Sequence, residues 1–274
     1  VSAITSAYNG LNTVIIEKAD VWGGSSALSG GGLWIPNNHV SKKAGLQDSE
    51  EEALAYMQEI IEDTGPASTY ERKEAYVKNG HKMVKFLEEI GMKWVAGSLY
   101  PDYYPEKTGG KIGRSIEGEV FDARELKEYE RTLRRGEIDP PIPLYSGKVA
   151  SLPKAFTNAK DFNTVIGMFM NGFKHKMKGS HAISIGGGLV ARLLNIAAGY
   201  DVPLLLSTPL KDLIIENDKI VGIEAEKDGQ PYFIKCKSVI LAGGGFERNP
   251  ELRKKYHNVG TSWTSASPDN TGDM

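Results

Sequence analysis

The chain has 274 residues, 40% of them hydrophobic, enough for one large domain or two small ones with a sizeable core. Thirty-three basic residues against 35 acidic ones leave a formal net charge of −2, which removes the electrostatic case for a nucleic-acid partner. The single cysteine, Cys236, excludes an internal disulfide and a cysteine-rich metal site, and the five histidines show no metal-ligand spacing, so no metal is expected. No apolar run approaches the ~20 residues of a membrane span and no signal peptide is visible, so the expectation is a cytoplasmic protein without an integral membrane segment.

Residues 1–8 read as a helix closed by Gly10 in the C′ position. Residues 13–16 form a short β-branched strand that ends on an acid, Glu17. In a dinucleotide-binding βαβ unit such an acid accepts hydrogen bonds from the adenosine ribose, about 20 residues after a Gly-x-Gly-x-x-Gly loop. Counting back that far from Glu17 passes Val1, so the first strand and its glycine loop are expected to be missing and residues 1–274 alone to hold the cofactor poorly. Behind Glu17 come Gly23, Gly24, Ser25 and Ser26, then Ser29, Gly30, Gly31 and Gly32. Glycine lets backbone approach a ligand, and serine adds a hydroxyl without bulk.

Residues 49–64 follow as a helix capped by Ser49, with Ala53, Tyr56, Met57, Ile60 and Ile61 on its apolar face. A second helix, 68–90, ends at Gly91, and the two pack together on one flank of the sheet. Residues 97–118 are irregular and rich in Gly, Pro and Tyr, the composition of a loop that carries binding groups. Residues 136–147 are a proline-rich connection. Residues 153–178 are mixed, and the basic cluster Lys174, His175, Lys176 and Lys178 reads as a solvated face in preference to a membrane contact. A helix over 187–199 and a buried strand over 202–206 come next. Strands 210–215, 220–226 and 232–236, joined by Asn217-Asp218 and Asp228-Gly229, make a three-stranded antiparallel meander. Residues 238–242 return as a wholly apolar strand that runs into Gly243-Gly244-Gly245, where ligands sit in open α/β sheets.

Glu17-Lys18, followed by the two glycine–serine clusters, is similar to the second FAD motif of the fumarate reductase and succinate dehydrogenase flavoprotein family. Ser29-Gly30-Gly31-Gly32-Leu33-Trp34-Ile35-Pro36 resembles, more narrowly, the 3-ketosteroid Δ1-dehydrogenase branch. So do Tyr100-Pro101-Asp102-Tyr103-Tyr104-Pro105, the run from Ala242 to Asn249, and Asn270-Thr271-Gly272-Asp273. The resemblance implies an α/β, Rossmann-like FAD-binding domain over residues 1–260, with a parallel sheet plus the meander and without its first strand. It implies the start of a substrate-capping domain over 261–274. With the glycine–serine reading it assigns to FAD the residues Glu17, Lys18, Gly23, Gly24, Ser25, Ser26, Ser29, Gly30, Gly31, Gly32, Leu210, Ala242, Gly243 and Gly244.

The activity it implies is introduction of a double bond beside a ketone of a small apolar, steroid-like substrate, with an electron acceptor the residues do not identify. Such chemistry needs a base for the α-proton, a flavin for the hydride and donors at the ketone oxygen. The resemblance places Tyr103 at the flavin face, supporting the proton-abstracting tyrosine, and puts that tyrosine and the ketone-gripping groups beyond Met274. Tyr100 and Tyr104 read as packing residues. Two rivals remain: a fumarate reductase-like flavoprotein acting on another enone or small acid, and an inactive flavin-deficient fragment. Against fumarate, Arg114, Arg124 and Arg248 stand in no dicarboxylate motif, and Ser265 to Asn270 replace the family's histidine-bearing segment.

Overall fold

A computed structural model describes residues 1–136 and 142–273, so the expected connection over 136–147 lies partly outside the described residues. In chain order the elements are α1 (Ser2–Tyr8), β1 (Ile15–Ile16), α2 (Gly24–Leu28), β2 (Leu33–Trp34), α3 (His39–Lys43), α4 (Glu50–Ile60), α5 (Tyr70–Glu89), β3 (Trp94–Ala96), β4 (Ser115–Gly118) and β5 (Phe121–Asp122). They continue with α6 (Ser146–Val149), α7 (Ala159–Met177), β6 (Ala182–Ile183), α8 (Ile185–Gly199), β7 (Leu204–Leu205), β8 (Leu210–Glu216), β9 (Lys219–Lys227), β10 (Gln230–Lys235) and α9 (Pro250–His257). The chain divides into two compact units, one of residues 1–28, 125–137 and 193–274, the other of 29–124 and 138–192.

In the first unit β1 and β7 pair in parallel, with Ile15 opposite Leu204 and Ile16 opposite Leu205. The strand is shorter than the sequence suggests because only its end finds a partner: the Ile15 amide donates to Pro203 O at 2.9 Å and the Glu17 amide to Leu205 O at 2.8 Å. The loop after α1 closes as expected. Gly10 at φ +78° donates to Ala7 O and Leu11 donates to Ser6 O, the double bond of a Schellman cap. The meander forms in the order β10-β9-β8. Asn217, Asp218, Asp228 and Gly229 all have positive φ, as two-residue type I′ turns require.

Two departures stand out in this unit. Residues 238–242 are not a strand, and Ile240 and Leu241 are exposed. An apolar run becomes a strand only where a neighbouring edge takes its amides and carbonyls, and no described strand offers one. Helix α9 has a readable start in Asn249-Pro250, with the Asn249 side chain accepting from the Glu251 and Leu252 amides and Pro250 in the first turn.

The second unit holds the antiparallel sheet β2-β4-β3 and the pair β5-β6. Helices α4 and α5 lie here and pack together. Ser49 caps α4 by accepting from the Glu52 amide. Helix α5 buries Lys73, Val77, Val84 and Leu87, the i, i+4, i+11, i+14 positions of one face. It ends in a second Schellman cap, with Gly91 at φ +112° donating to Glu88 O and Met92 donating to Leu87 O. The irregular 97–118 segment finishes in β4, all four residues of which are buried. The mixed 153–178 segment contains the 19-residue helix α7, capped by Asn158.

Candidate cofactor site

In the first unit the end of β1 meets the end of the chain. Glu17 Oε1 accepts from the Ala19 amide at 3.0 Å, while Oε2 takes no hydrogen bond from any described residue. Lys18 Nζ donates to Thr271 Oγ1 at 2.5 Å and is ion-paired with Asp273. That lysine is the main cause that holds the Asp273 carboxyl below the usual carboxylate range.

Ser25, in α2, is the second junction. Its Oγ accepts from the Ser267 amide at 2.9 Å and from Asn270 Nδ2 at 3.1 Å, so both lone pairs are used and its own O–H proton has no acceptor among the described residues. Asn270 Nδ2 also donates to Glu247 Oε2 at 3.0 Å. Gly244 sits beside Asn270 at φ +80°, and a Cβ there would meet Asn270 Oδ1 at 2.9 Å. The Gly272 amide donates to Gly245 O at 3.0 Å. Gly23 and Gly24 have φ of +111° and +51°, and a Cβ on Gly24 would meet nothing within 4 Å. Ala242, Gly243 and Gly244 are exposed, and Leu210 opens β8 half-buried opposite Ala225. Ser26 is exposed.

These residues fit a dinucleotide. A half-buried carboxylate oxygen and a hydroxyl proton both lack partners among the described residues, and glycine backbone lies bare beside them.

The second glycine cluster belongs to the other unit. The Gly31 amide donates to Ser29 Oγ at 3.1 Å, and the Gly186 amide donates to Ser29 O at 3.0 Å. At φ +71°, a Cβ on Gly31 would lie 2.4 Å from the Ile185 carbonyl carbon, so only glycine passes there. Ser146 Oγ donates to Gly30 O at 2.6 Å, and Gly32 is exposed. The Ser146 and Gly147 amides donate to the buried carboxylate of Glu117, each at 2.7 Å. Burial pushes the Glu117 carboxyl up, against the pull of those two amides. The sequence reading did not single out Glu117. Its signal is an acid inside the short strand Ser-Ile-Glu-Gly.

Tyr103 is 88% exposed, whereas Asp102 beside it is buried. Asp102 accepts from Trp34 Nε1 at 2.7 Å, from the Lys111 amide at 2.9 Å and from Arg114 Nη1 at 2.8 Å. Arg114 also pairs with Asp48 at 2.9 Å and lies 5.6 Å from the ring centroids of Trp34 and Tyr56. The loop is therefore pinned by Asp102 and presents Tyr103 outward. Tyr100 is half-buried and its hydroxyl is raised by burial. Tyr104 remains exposed through its ring while its amide donates to Tyr56 Oη. The arginines weighed for a dicarboxylate are engaged within the protein: Arg114 as above, Arg124 with Asp122, and Arg248 with Ala266 O.

A family model described as the FAD binding domain matches residues 1–274. The chain belongs to the FAD binding domain family. FAD is its cofactor. Over 287 residues it is 36% identical to a 3-oxosteroid 1-dehydrogenase of Mycolicibacterium smegmatis, covering 100% of this chain and 50% of that protein. A 3-oxosteroid 1-dehydrogenase of Comamonas testosteroni is 33% identical, with 97% of this chain and 48% of that protein covered. Among solved structures, this flavoprotein chain superimposes on 3-ketosteroid delta1-dehydrogenase from Sterolibacterium denitrificans, in complex with 1,4-androstadiene-3,17-dione, with a TM-score of 0.81 at 28% identity, covering 99% of this chain and 50% of that one. A flavocytochrome c3 fumarate reductase shares the fold, with a TM-score of 0.60 at 18% identity, over 99% of this chain and 36% of that one. The chain spans about half the length of the curated relatives it matches.

Proposed function

We propose that this FAD-binding chain is part of a dehydrogenase that introduces a double bond beside the ketone of a 3-oxosteroid or a similarly shaped apolar ketone. The observation that carries this reading is 36% identity sustained along the entire chain to a 3-oxosteroid 1-dehydrogenase. The engagement of Arg114, Arg124 and Arg248 within the protein favours it over a dicarboxylate reductase.

In this reading Glu17 Oε2 accepts from the ribose hydroxyls, and the Ser25 proton donates to a diphosphate oxygen. Gly23, Gly24, Gly243 and Gly244 keep backbone bare for close approach. Lys18, Ser26, Leu210 and Ala242 lie in the same unit, and Ser29, Gly30, Gly31 and Gly32 of the other unit are assigned to FAD by the sequence resemblance alone. FAD, when bound, supplies the hydride acceptor. Tyr103 offers a hydroxyl that both donates and accepts, on a ring suited to an apolar substrate. Its role is to orient the group that takes the proton next to the ketone. Residues 261–274 open the substrate-capping region.

The test is anaerobic addition of a 3-oxosteroid to the full-length, flavin-loaded protein. Loss of the oxidised-flavin absorbance is expected. Flavin that stays oxidised with the steroid, yet is bleached by a chemical reductant, overturns the reading.

A further inference from the structure

Gly23 and Gly24, with φ of +111° and +51°, form a turn that the backbone freedom of glycine would leave loose. Three non-covalent links close a ring around it, and all their residues lie in one compact unit. Just before the turn, the Trp22 carbonyl accepts from the Arg134 amide at 2.8 Å. Just after it, Ser25 Oγ accepts from the Ser267 amide at 2.9 Å. Two residues beyond Ser267, the Asp269 carboxylate is ion-paired with the Arg134 guanidinium. The ring therefore runs from Trp22 through Ser25, Ser267, Asp269 and Arg134 back to Trp22.

Each side of the ring is reinforced. The Trp22 amide donates to Thr132 O at 2.8 Å and its indole Nε1 to Tyr129 O at 2.9 Å, so the backbone leading to Arg134 lies fixed against Trp22. The Asp269 amide donates to Ser267 Oγ at 3.3 Å and the Asn270 amide to Ser267 O at 3.1 Å, which makes 267–270 one tight turn. The Arg134 side chain is 11% exposed, and its buried Nε–H has no hydrogen-bond partner among the described residues. A guanidinium so desolvated is held firmly by the carboxylate it does have, because release would leave a buried charge unpaired.

An ion pair between distant segments can serve stability alone. This one closes on the turn whose Ser25 proton has no acceptor among the described residues and where a Cβ on Gly24 would meet nothing within 4 Å. We infer that Arg134 is a positioning residue of the FAD site. Through Asp269 and Ser267 it sets Ser25 and the glycine turn in their binding pose before FAD arrives. A turn set in advance loses little further conformational freedom when the cofactor binds, and affinity rises accordingly. The inference rests on the reading of Gly23, Gly24 and Ser25 as cofactor residues and not on the steroid reading. Its test uses no turnover.

The experiment is a double-mutant cycle on the full-length flavin-free protein, with FAD affinity read by fluorescence titration below the melting temperature of each variant. Arg134→Gln should raise Kd about tenfold, the effect of leaving one more residue to be ordered on binding. Ser25→Ala opens the same ring, so in that background Arg134→Gln should raise Kd about twofold or less. Arg134→Lys keeps a donor and a positive charge for Asp269 and should recover part of the affinity. A lower melting temperature with unchanged Kd in Arg134→Gln makes Arg134 a stabilising clasp and overturns the inference. Equal losses in the two backgrounds overturn it as well, because the effect then does not pass through Ser25. If Arg134→Gln does not fold, Asp269→Asn, which keeps an uncharged acceptor for the guanidinium, should raise Kd about threefold, and no change there overturns the inference. Unchanged affinity in Ser25→Ala alone is a separate failure: it removes Ser25 from the cofactor site, and the inference falls with it.

Discussion

Ser25 Oγ accepts a hydrogen bond from Asn270 Nδ2 at 3.1 Å, joining two motifs that stand 245 residues apart in the chain. The same oxygen takes the Ser267 amide, so one hydroxyl fastens the glycine–serine turn after β1 to the Asn270-Thr271-Gly272-Asp273 segment. Ser25→Ala leaves a buried amide and a side-chain amide short of an acceptor, a loss of about 1–3 kcal/mol. The expected outcome is a lower melting temperature together with a lower flavin-to-protein ratio, read by calorimetry and absorbance. A variant that keeps both values would show that the junction is incidental.

Glu17→Ala removes the carboxylate oxygen that has no partner among the described residues. FAD binding to the full-length protein should weaken by about 1–3 kcal/mol, roughly ten- to a hundredfold in Kd. Fluorescence titration of the flavin-free protein measures it directly. Equal affinity in parent and variant would remove Glu17 from the site.

Tyr103 and Asp102 are adjacent yet should respond in opposite ways. Tyr103→Phe deletes only a hydroxyl on an exposed ring, so melting temperature and flavin content should hold while kcat on a 3-oxosteroid falls on the order of 10²-fold. Asp102→Ala strips a buried carboxylate from Trp34, Lys111 and Arg114, leaving Arg114 with Asp48 alone, and should lower stability by about 3–5 kcal/mol in urea unfolding. Unchanged turnover in Tyr103→Phe would make Tyr103 a surface residue and nothing more.

Asp122 gives a pH prediction. The Arg124 guanidinium, above all, holds its carboxyl well below the usual carboxylate range, with help from the Arg124 and His181 amides. The unfolded chain therefore binds the proton more readily than the folded one. Stability from this group is complete above the ordinary aspartate value, from about pH 4 upward, and drains away as pH falls towards the depressed folded value. Asp122→Asn should flatten the melting temperature between about pH 4 and pH 2 relative to the parent and leave the acid limb of other carboxylates in place. Two parallel curves would refute the assignment.

The features legible in the chain are those whose causes lie within a few residues. Gly10 and Gly91 end their helices because only glycine takes the left-handed cap without strain. Ser49 starts α4 through an oxygen three residues from the amide it accepts. Asn217-Asp218 and Asp228-Gly229 make the meander turns because these residues tolerate positive φ. The short strand that runs up to Glu17 was legible for the same reason, as a β-branched run ending on an acid, and so was the family, because its glycine–serine spacing is written along one segment.

What the tertiary structure decided depends on partners far away in sequence. The glycine–serine stretch looks like one motif, yet Gly23 to Ser26 belong to one compact unit and Ser29 to Gly32 to the other, where Gly31 is pressed against Ile185. Residues 238–242 carry the composition of a strand and find no edge to pair with among the described residues. Asp102 and Tyr103 are neighbours whose fates differ because Trp34 and Arg114 wait on one side only. Lysine and phenylalanine counts over 153–178 could not show that the helix buries one apolar face and exposes another. Local geometry follows from backbone chemistry that each residue carries with it, whereas burial and pairing follow from which surfaces the folded chain brings opposite one another.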